Sequence, residues 1–213
     1  MEISNELNVG SREQLRAWLS ENHDSCDEVW IVCCRSGRVH TCGLPYLDVV
    51  YEALCFGWID STCKRVGDKM LQRLTLRKKG SNWTELNKAR FRYLEREGTM
   101  TDAGRAVFPY LLETEFTIDD IIVEELRKHP VAMDNFSRFP ELYKRVKIGN
   151  IQMKRNNSDL YWRRLDKFIR FTCRNKMYGE WNDNGRLAQI DEKKEEDIGG
   201  FKGSMGVVDG RGD

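Results

Sequence analysis

The sequence predicts an α+β fold: a small β-sheet with helices in the N-terminal half, followed by an all-helical C-terminal half. Three observations predict it. "EVWIVCCR" (28–35) is a continuous apolar run rich in β-branched residues, bounded by polar clusters, as a buried strand requires. "WIDSTCKRV" (58–66) and "MLQRLTLRK" (70–78) alternate with period two and are separated by Gly67-Asp68, the pattern of a hairpin. From residue 118 onward apolar residues recur at helical spacing instead. The expected division is an α+β domain over 1–115, a helical domain over 116–182 and a flexible tail over 183–213.

Each element has a local reason. Ser11 is the expected N-cap of a helix from Arg12 to Asn22, with Leu15, Trp18 and Leu19 on one face. Pro45 suits the first turn of a second helix whose stripe is Leu47, Val50, Tyr51 and Leu54. In "CFGWID" (55–60), Gly57 is read as the left-handed residue that ends this helix, and Trp58 opens the next strand. On the second strand of the hairpin Leu71, Arg73, Thr75 and Arg77 share one face. Whether Asp60 faces Arg73 or Arg77 depends on register. "SNWTELNKARFRYLEREG" (81–98) predicts a helix capped by Ser81 or Asn82 and ended by Gly98. Thr101 caps a short helix after it. Helices follow at 118–129, 131–139, 141–153 and 158–177, punctuated by Pro130 and Pro140. After Asn182 glycines and charges dominate, which predicts mobility. The terminal Arg211-Gly212-Asp213 is read as a chance tripeptide.

Composition excludes little by itself. In 213 residues, 35 Lys+Arg nearly balance 34 Asp+Glu, for a formal charge of +1. Bulk charge therefore points to neither nucleic acid nor membrane. No secretory signal is visible, and no segment approaches the about 18 apolar residues of a membrane helix. A soluble, cytoplasmic chain without membrane insertion is expected. The seven cysteines, including the adjacent Cys33–Cys34, lack metal-site spacing and read as small buried hydrophobes. No metal and no cofactor is expected. The Walker loop, G-x-G-x-x-G, H-E-x-x-H and G-x-S-x-G are all absent.

"YEALCFGWIDS" (51–61), "LQRLTLRKKGSNWTELNKAR" (71–90), "EGTMTDAG" (97–104) and the helical stretch 123–170 occur in an order and spacing that resemble the bacterial YdeI/OmpD-associated, or bacteriocin-protection, family. The resemblance spans about residues 11–178. It departs at Leu74 and Leu76, where that family commonly has an aromatic residue and a proline. It implies an α+β domain followed by helices, and a role in resistance to antimicrobial peptides or envelope stress. It carries over no catalytic residues.

Trp58, Asp60, Arg73, Arg77, Lys78, Trp83 and Asn87 form the first candidate site. If the hairpin packs on the helix that follows, these residues converge near the helix entrance. Arginines and a lysine there suit a phosphate or carboxylate. The tryptophans would cover a ring, and Asp60 would orient an arginine or accept from a ligand hydroxyl. The structural alternative pairs Asp60 with Arg73 or Arg77 and sends the tryptophans to the core. Cys55 reads as a buried thiol at a helix C-terminus, where the dipole disfavours a thiolate. His23, His40 and His129 are isolated. Residues 144–176 carry eleven basic side chains against Asp159 and Asp166, interleaved with Tyr161, Trp162 and Phe171. That stripe suits nucleic acid or another anion, or is simply a solvated face. The leading expectation is a non-catalytic stress or bacteriocin-resistance protein that binds a small anionic ligand or a partner's acidic group. The alternatives are an enzyme with Asp60 as general base, and a nucleic-acid binder using the basic helices.

Overall fold

The computed structural model describes residues 3, 5–34, 43–78, 80–108 and 116–188. It is α+β: the strands lie in the N-terminal half and helices follow. The central strand is β2 (Glu28–Cys34), buried on both faces, which explains its unbroken apolar run. Short strands β1 (Glu6–Leu7) and β3 (Leu44–Pro45) run parallel to it. On its other side β5 (Lys69–Leu76) is antiparallel, and β4 (Trp58–Val66) pairs with β5 as the predicted hairpin.

Register decides what the two faces carry. Trp58 lies opposite Leu76 and Asp60 opposite Leu74, with an irregularity between Asp60 and Cys63. Trp30 lies opposite Arg73. One face therefore presents Val29, Ile31, Trp58 and Leu74 to the main core. The other carries Trp30, Val32 and Leu71, a smaller cluster closed by Ile3, and beside it Arg73. Asp60 and Arg73 thus point to opposite faces, because pairing with Leu74 puts Asp60 one step out of phase.

Four helices cover the main face. In α1 (Arg12–Asn22) the Ser11 hydroxyl accepts from the Gln14 N–H, as predicted. α2 (Tyr46–Cys55) crosses it, and buried Glu52 accepts from both Arg12 and Arg16. Those two arginines offset the cost of taking a carboxylate out of water. α2 ends at Phe56-Gly57, with Gly57 at φ +76°. A side chain there is excluded twice, since a Cβ would also sit 2.9 Å from the Ala103 carbonyl oxygen. The "CFGWID" run is therefore a helix end followed by a buried strand start, with Trp58 fully enclosed.

α3 (Glu85–Arg96) begins later than predicted. Its cap is Thr84, whose hydroxyl accepts from the Asn87 N–H, not Ser81 or Asn82. α4 (Asp102–Val107) is capped by Thr101 and leans on the end of α2. There the Cys55 carbonyl accepts from both the amide (3.2 Å) and the hydroxyl (2.5 Å) of Thr101.

In the second half α5 (Asp120–Arg127), α6 (Pro130–Arg138), α7 (Glu141–Gln152) and α8 (Ser158–Cys173) enclose their own core of Ile122, Leu126, Tyr143, Ile148, Leu165 and Phe168. The halves meet where Ala89 of α3 packs with Leu142 and Val146 of α7 and with Leu187. Leu187 and Asp183 are buried, so the tail expected from residue 183 does not start there. The physical reason is a charge. Asp183 accepts from Arg90 and from the Tyr51 hydroxyl, while Arg186 reaches Asp48. The remainder of that tail, 189–213 with its Arg-Gly-Asp end, lies outside the described residues, as do His40 and Cys42.

Cys26, Cys55, Cys63 and Cys173 are free thiols, as the composition suggested, but Cys34 is disulfide-bonded. Among the described residues no helix is long and apolar enough to cross a membrane. No group of three or more His, Cys, Asp or Glu side chains among them is placed to hold a metal ion.

Candidate functional site

Arg77 follows the last residue of β5, and its backbone N–H donates to the Gly57 carbonyl at 3.0 Å. This single bond ties the strand end to the end of α2 and sends the arginine side chain inward. Only 5% of Arg77 is exposed. Its guanidinium carbon lies 3.8 Å from the centroid of the Trp83 ring. Trp83 is held by edge-to-face contacts with Phe91 and Phe108, whose own rings stack at 3.8 Å. The arginine thus rests on a platform that does not need a ligand to form.

Hydrogen bonding at Arg77 is one-sided. Nη1 donates to the Asn82 carbonyl (3.2 Å) and the Ser81 hydroxyl (3.5 Å). Nε and Nη2 are buried and have no hydrogen-bond partner among the described residues. Burial pushes the guanidinium down to about 10, against the opposing pull of the Asp60 charge. Asp60 makes no ion pair with Arg77. Its Oδ2 accepts instead from the Tyr46 hydroxyl at 2.6 Å, which turns the carboxylate toward α2.

The same guanidinium edge is occupied elsewhere. Arg73, Arg90, Arg145 and Arg155 each direct Nε and Nη2 at a carboxylate, those of Glu28, Asp183, Glu85 and Asp119. Arg77 presents this edge, the one that fits a carboxylate or phosphate side-on, to no acceptor among the described residues. A buried donor pair left in this condition is costly, and few native side chains are found so.

Of the seven predicted residues, the structure brings three together: Asp60, Arg77 and Trp83. Trp58 is in the core, its indole N–H donating to the His23 carbonyl and its ring edge-on to Trp18. Arg73 pairs with Glu28 on the opposite sheet face. Lys78 is exposed. Asn87 serves α3, taking Arg90 Nη1 on its side-chain oxygen. Sequence reasoning missed Ser81 and Asn82, which face Arg77. Their small polar character before a helix was the signal, and it reads equally as a cap.

Ser81, Asn82 and Trp83 also wall a cavity of about 650 Å³ between the N-terminus of α3 and the second half, with Lys88, Gln152 and Asn156 on its rim. The basic stripe of 144–176 is not one surface. Lys144, Arg145, Arg155 and Arg170 pair with acidic neighbours, and Arg164 donates to the Asn150 carbonyl. Lys147 is buried between Tyr143 and Tyr178, donating to the Glu180 carbonyl at 3.3 Å. Burial pushes its ammonium down to about 8. Cys55 is enclosed, and burial and Glu52 together push its thiol up.

No curated protein and no solved structure matches the chain. The segment that holds Asp60, Arg77 and Trp83, residues 7–107, matches a family model described as a domain of unknown function, DUF8412.

Proposed function

We propose that this protein is a non-catalytic binder of an acidic group, a carboxylate or phosphate, taken side-on by Nε and Nη2 of Arg77 over the face of Trp83. The observation that carries the reading is the vacant guanidinium edge, while Arg90, the other buried arginine among the described residues, fills that edge with Asp183. An incoming anion completes the same arrangement at Arg77, and its charge offsets the burial that now depresses the group. Stress or bacteriocin resistance is the role we propose for it, supported by the resemblance to the YdeI/OmpD-associated family.

The test follows the Arg77 Nε–H resonance by nuclear magnetic resonance during titration with benzoate and, separately, inorganic phosphate. A saturable shift confined to Arg77 and the Trp83 indole is expected with at least one of them. In Arg77→Lys, which keeps the charge but not the two-pronged edge, the shift of the Trp83 indole is abolished. If neither anion moves the Arg77 resonance at millimolar concentration, or the lysine variant binds equally well, the reading fails.

A further inference from the structure

The charge of the chain is segregated. Residues 116–182 carry fourteen basic side chains against nine acidic ones, a balance of +5. Residues 189–213 carry four against seven, a balance of −3. Within the latter, "DEKKEED" (191–197) holds five carboxylates, Asp191, Glu192, Glu195, Glu196 and Asp197, and only two lysines.

Part of the basic excess is gathered on α8. Arg163, Lys167 and Arg170, with Arg174 at the C-cap, recur at i, i+4, i+7 and i+11, which sets them in one row. The row faces away from the buried stripe of Tyr161, Leu165, Phe168 and Thr172, and all four side chains are exposed. At about 1.5 Å per residue it runs for roughly 16 Å. Arg163, Lys167 and Arg174 have no ion pair among the described residues, and Arg170 has only the exposed Asp166, at 3.4 Å. Lys167 rests on the Tyr178 ring, 4.9 Å from its centroid. Like charges in a row on one helix face repel one another, so an acidic cover stabilises this face.

The run at 191–197 is within reach of it. The last described residue, Ala188, follows Leu187, which packs on Leu142 and Val146 of α7. α7 in turn packs on α8. From Leu187 across both helices is about two helix diameters, roughly 20–24 Å. The run stands three to nine positions beyond Ala188, a span of up to about 30 Å. A short tether also holds it near millimolar effective concentration, so ion pairs that are individually weak at a surface suffice.

We infer that the acidic run 191–197 docks on the exposed face of α8, with its carboxylates against Arg163, Lys167, Arg170 and Arg174. The chain thereby covers this basic surface itself, and an outside polyanion reaches it only by displacing the run. The contact is independent of the Arg77 cluster.

The test is zero-length coupling of the full chain with a water-soluble carbodiimide at low ionic strength, which joins an ammonium to a carboxylate in contact with it. An equal mixture of unlabelled and nitrogen-15-labelled protein distinguishes coupling within a chain from coupling between copies. Mass spectrometry is expected to find Lys167 joined to a carboxylate of 191–197 within one chain. The product should vanish by about 1 M salt, where the screening length falls to about 3 Å. Arg163→Gln with Arg174→Gln changes only exposed side chains, so the fold is kept, and should lower the yield about fivefold. The product should persist beside an equimolar oligothymidylate. Absence of coupling between Lys167 and the run, or an undiminished yield in the double variant, would overturn the inference. So would coupling found only between copies, which assigns the face to a second chain, or loss of the product to the oligothymidylate, which assigns it to a nucleic acid.

Discussion

Arg90 and Asp183, separated by 93 residues, meet side-on inside the protein, with Nε to Oδ2 at 2.7 Å and Nη2 to Oδ1 at 2.8 Å. Tyr51 donates to the same carboxylate at 2.9 Å. A segment after α8 is thereby clasped onto two helices of the first half. Removing one partner leaves an uncompensated buried charge. Asp183→Ala is expected to cost about 3–5 kcal/mol, measured by urea denaturation. Arg90→Met with Asp183→Leu together should cost clearly less than the sum of the two single changes. Additivity in that cycle would show that the pair is not coupled.

Lys147 gives a pH dependence of definite sign. Its folded value, about 8, lies below the ordinary lysine value of 10.5. Between those values the unfolded chain holds the proton and the folded one does not, so this contribution to stability rises with pH across that window. Below about 8 the cost of the buried ammonium is fully present. Lys147→Met removes it and is expected to stabilise the protein at pH 7 by roughly 1–3 kcal/mol. The midpoint of urea unfolding should then respond less to pH between 8 and 10 than in the parent. A variant equally responsive, or less stable at neutral pH, would contradict this.

Arg77→Met is expected to separate stability from binding. The free protein gains, by about 1–2 kcal/mol, because an unpaired buried cation is replaced by an apolar chain of similar length. Anion binding disappears. A loss of stability in the ligand-free variant would mean that the Trp83 stacking outweighs the burial.

Gly104 has no room for a methyl group, since a Cβ would stand 2.3 Å from the Cys55 carbonyl oxygen. Gly104→Ala pushes α4 off the end of α2 and breaks the contact of Thr101 with that carbonyl. We expect a loss of about 1–3 kcal/mol in thermal unfolding. Gly67→Ala has open space around it and meets only the strain of its φ of +56°, so it costs less.

The sheet and most helices were legible because their signals are local. Alternation marks β4 and β5, and Ser11, Thr101, Pro130 and Pro140 mark boundaries by what their own atoms can do. The start of α3 was misplaced because Ser81, Asn82 and Thr84 are all competent caps. Thr84 takes the cap, while the Ser81 hydroxyl and the Asn82 carbonyl accept from Arg77. Of the candidate site, Arg77 and Trp83 were readable as a charge and a ring within reach. The fate of Arg73 was not, because its partner Glu28 lies 45 residues away on a strand whose register no local pattern fixes. Tyr161 was read as part of a buried helical stripe, and it is buried. That its hydroxyl has no hydrogen-bond partner among the described residues depends on tertiary packing, which sequence spacing does not place. The segment at 183–188 looked mobile because its glycines and charges are what composition sees, and Asp183 is ordered by one distant arginine.

The clasp also orders events during synthesis. At about 5–20 residues per second, roughly 5–20 s pass between the making of residue 90 and of residue 183. Throughout that interval the nascent first half has no Asp183 carboxylate for Arg90. It leaves the ribosome as an unfinished unit, its guanidinium still hydrated, and locks only when the chain beyond α8 arrives. The last piece made among the described residues is therefore the one that seals the first.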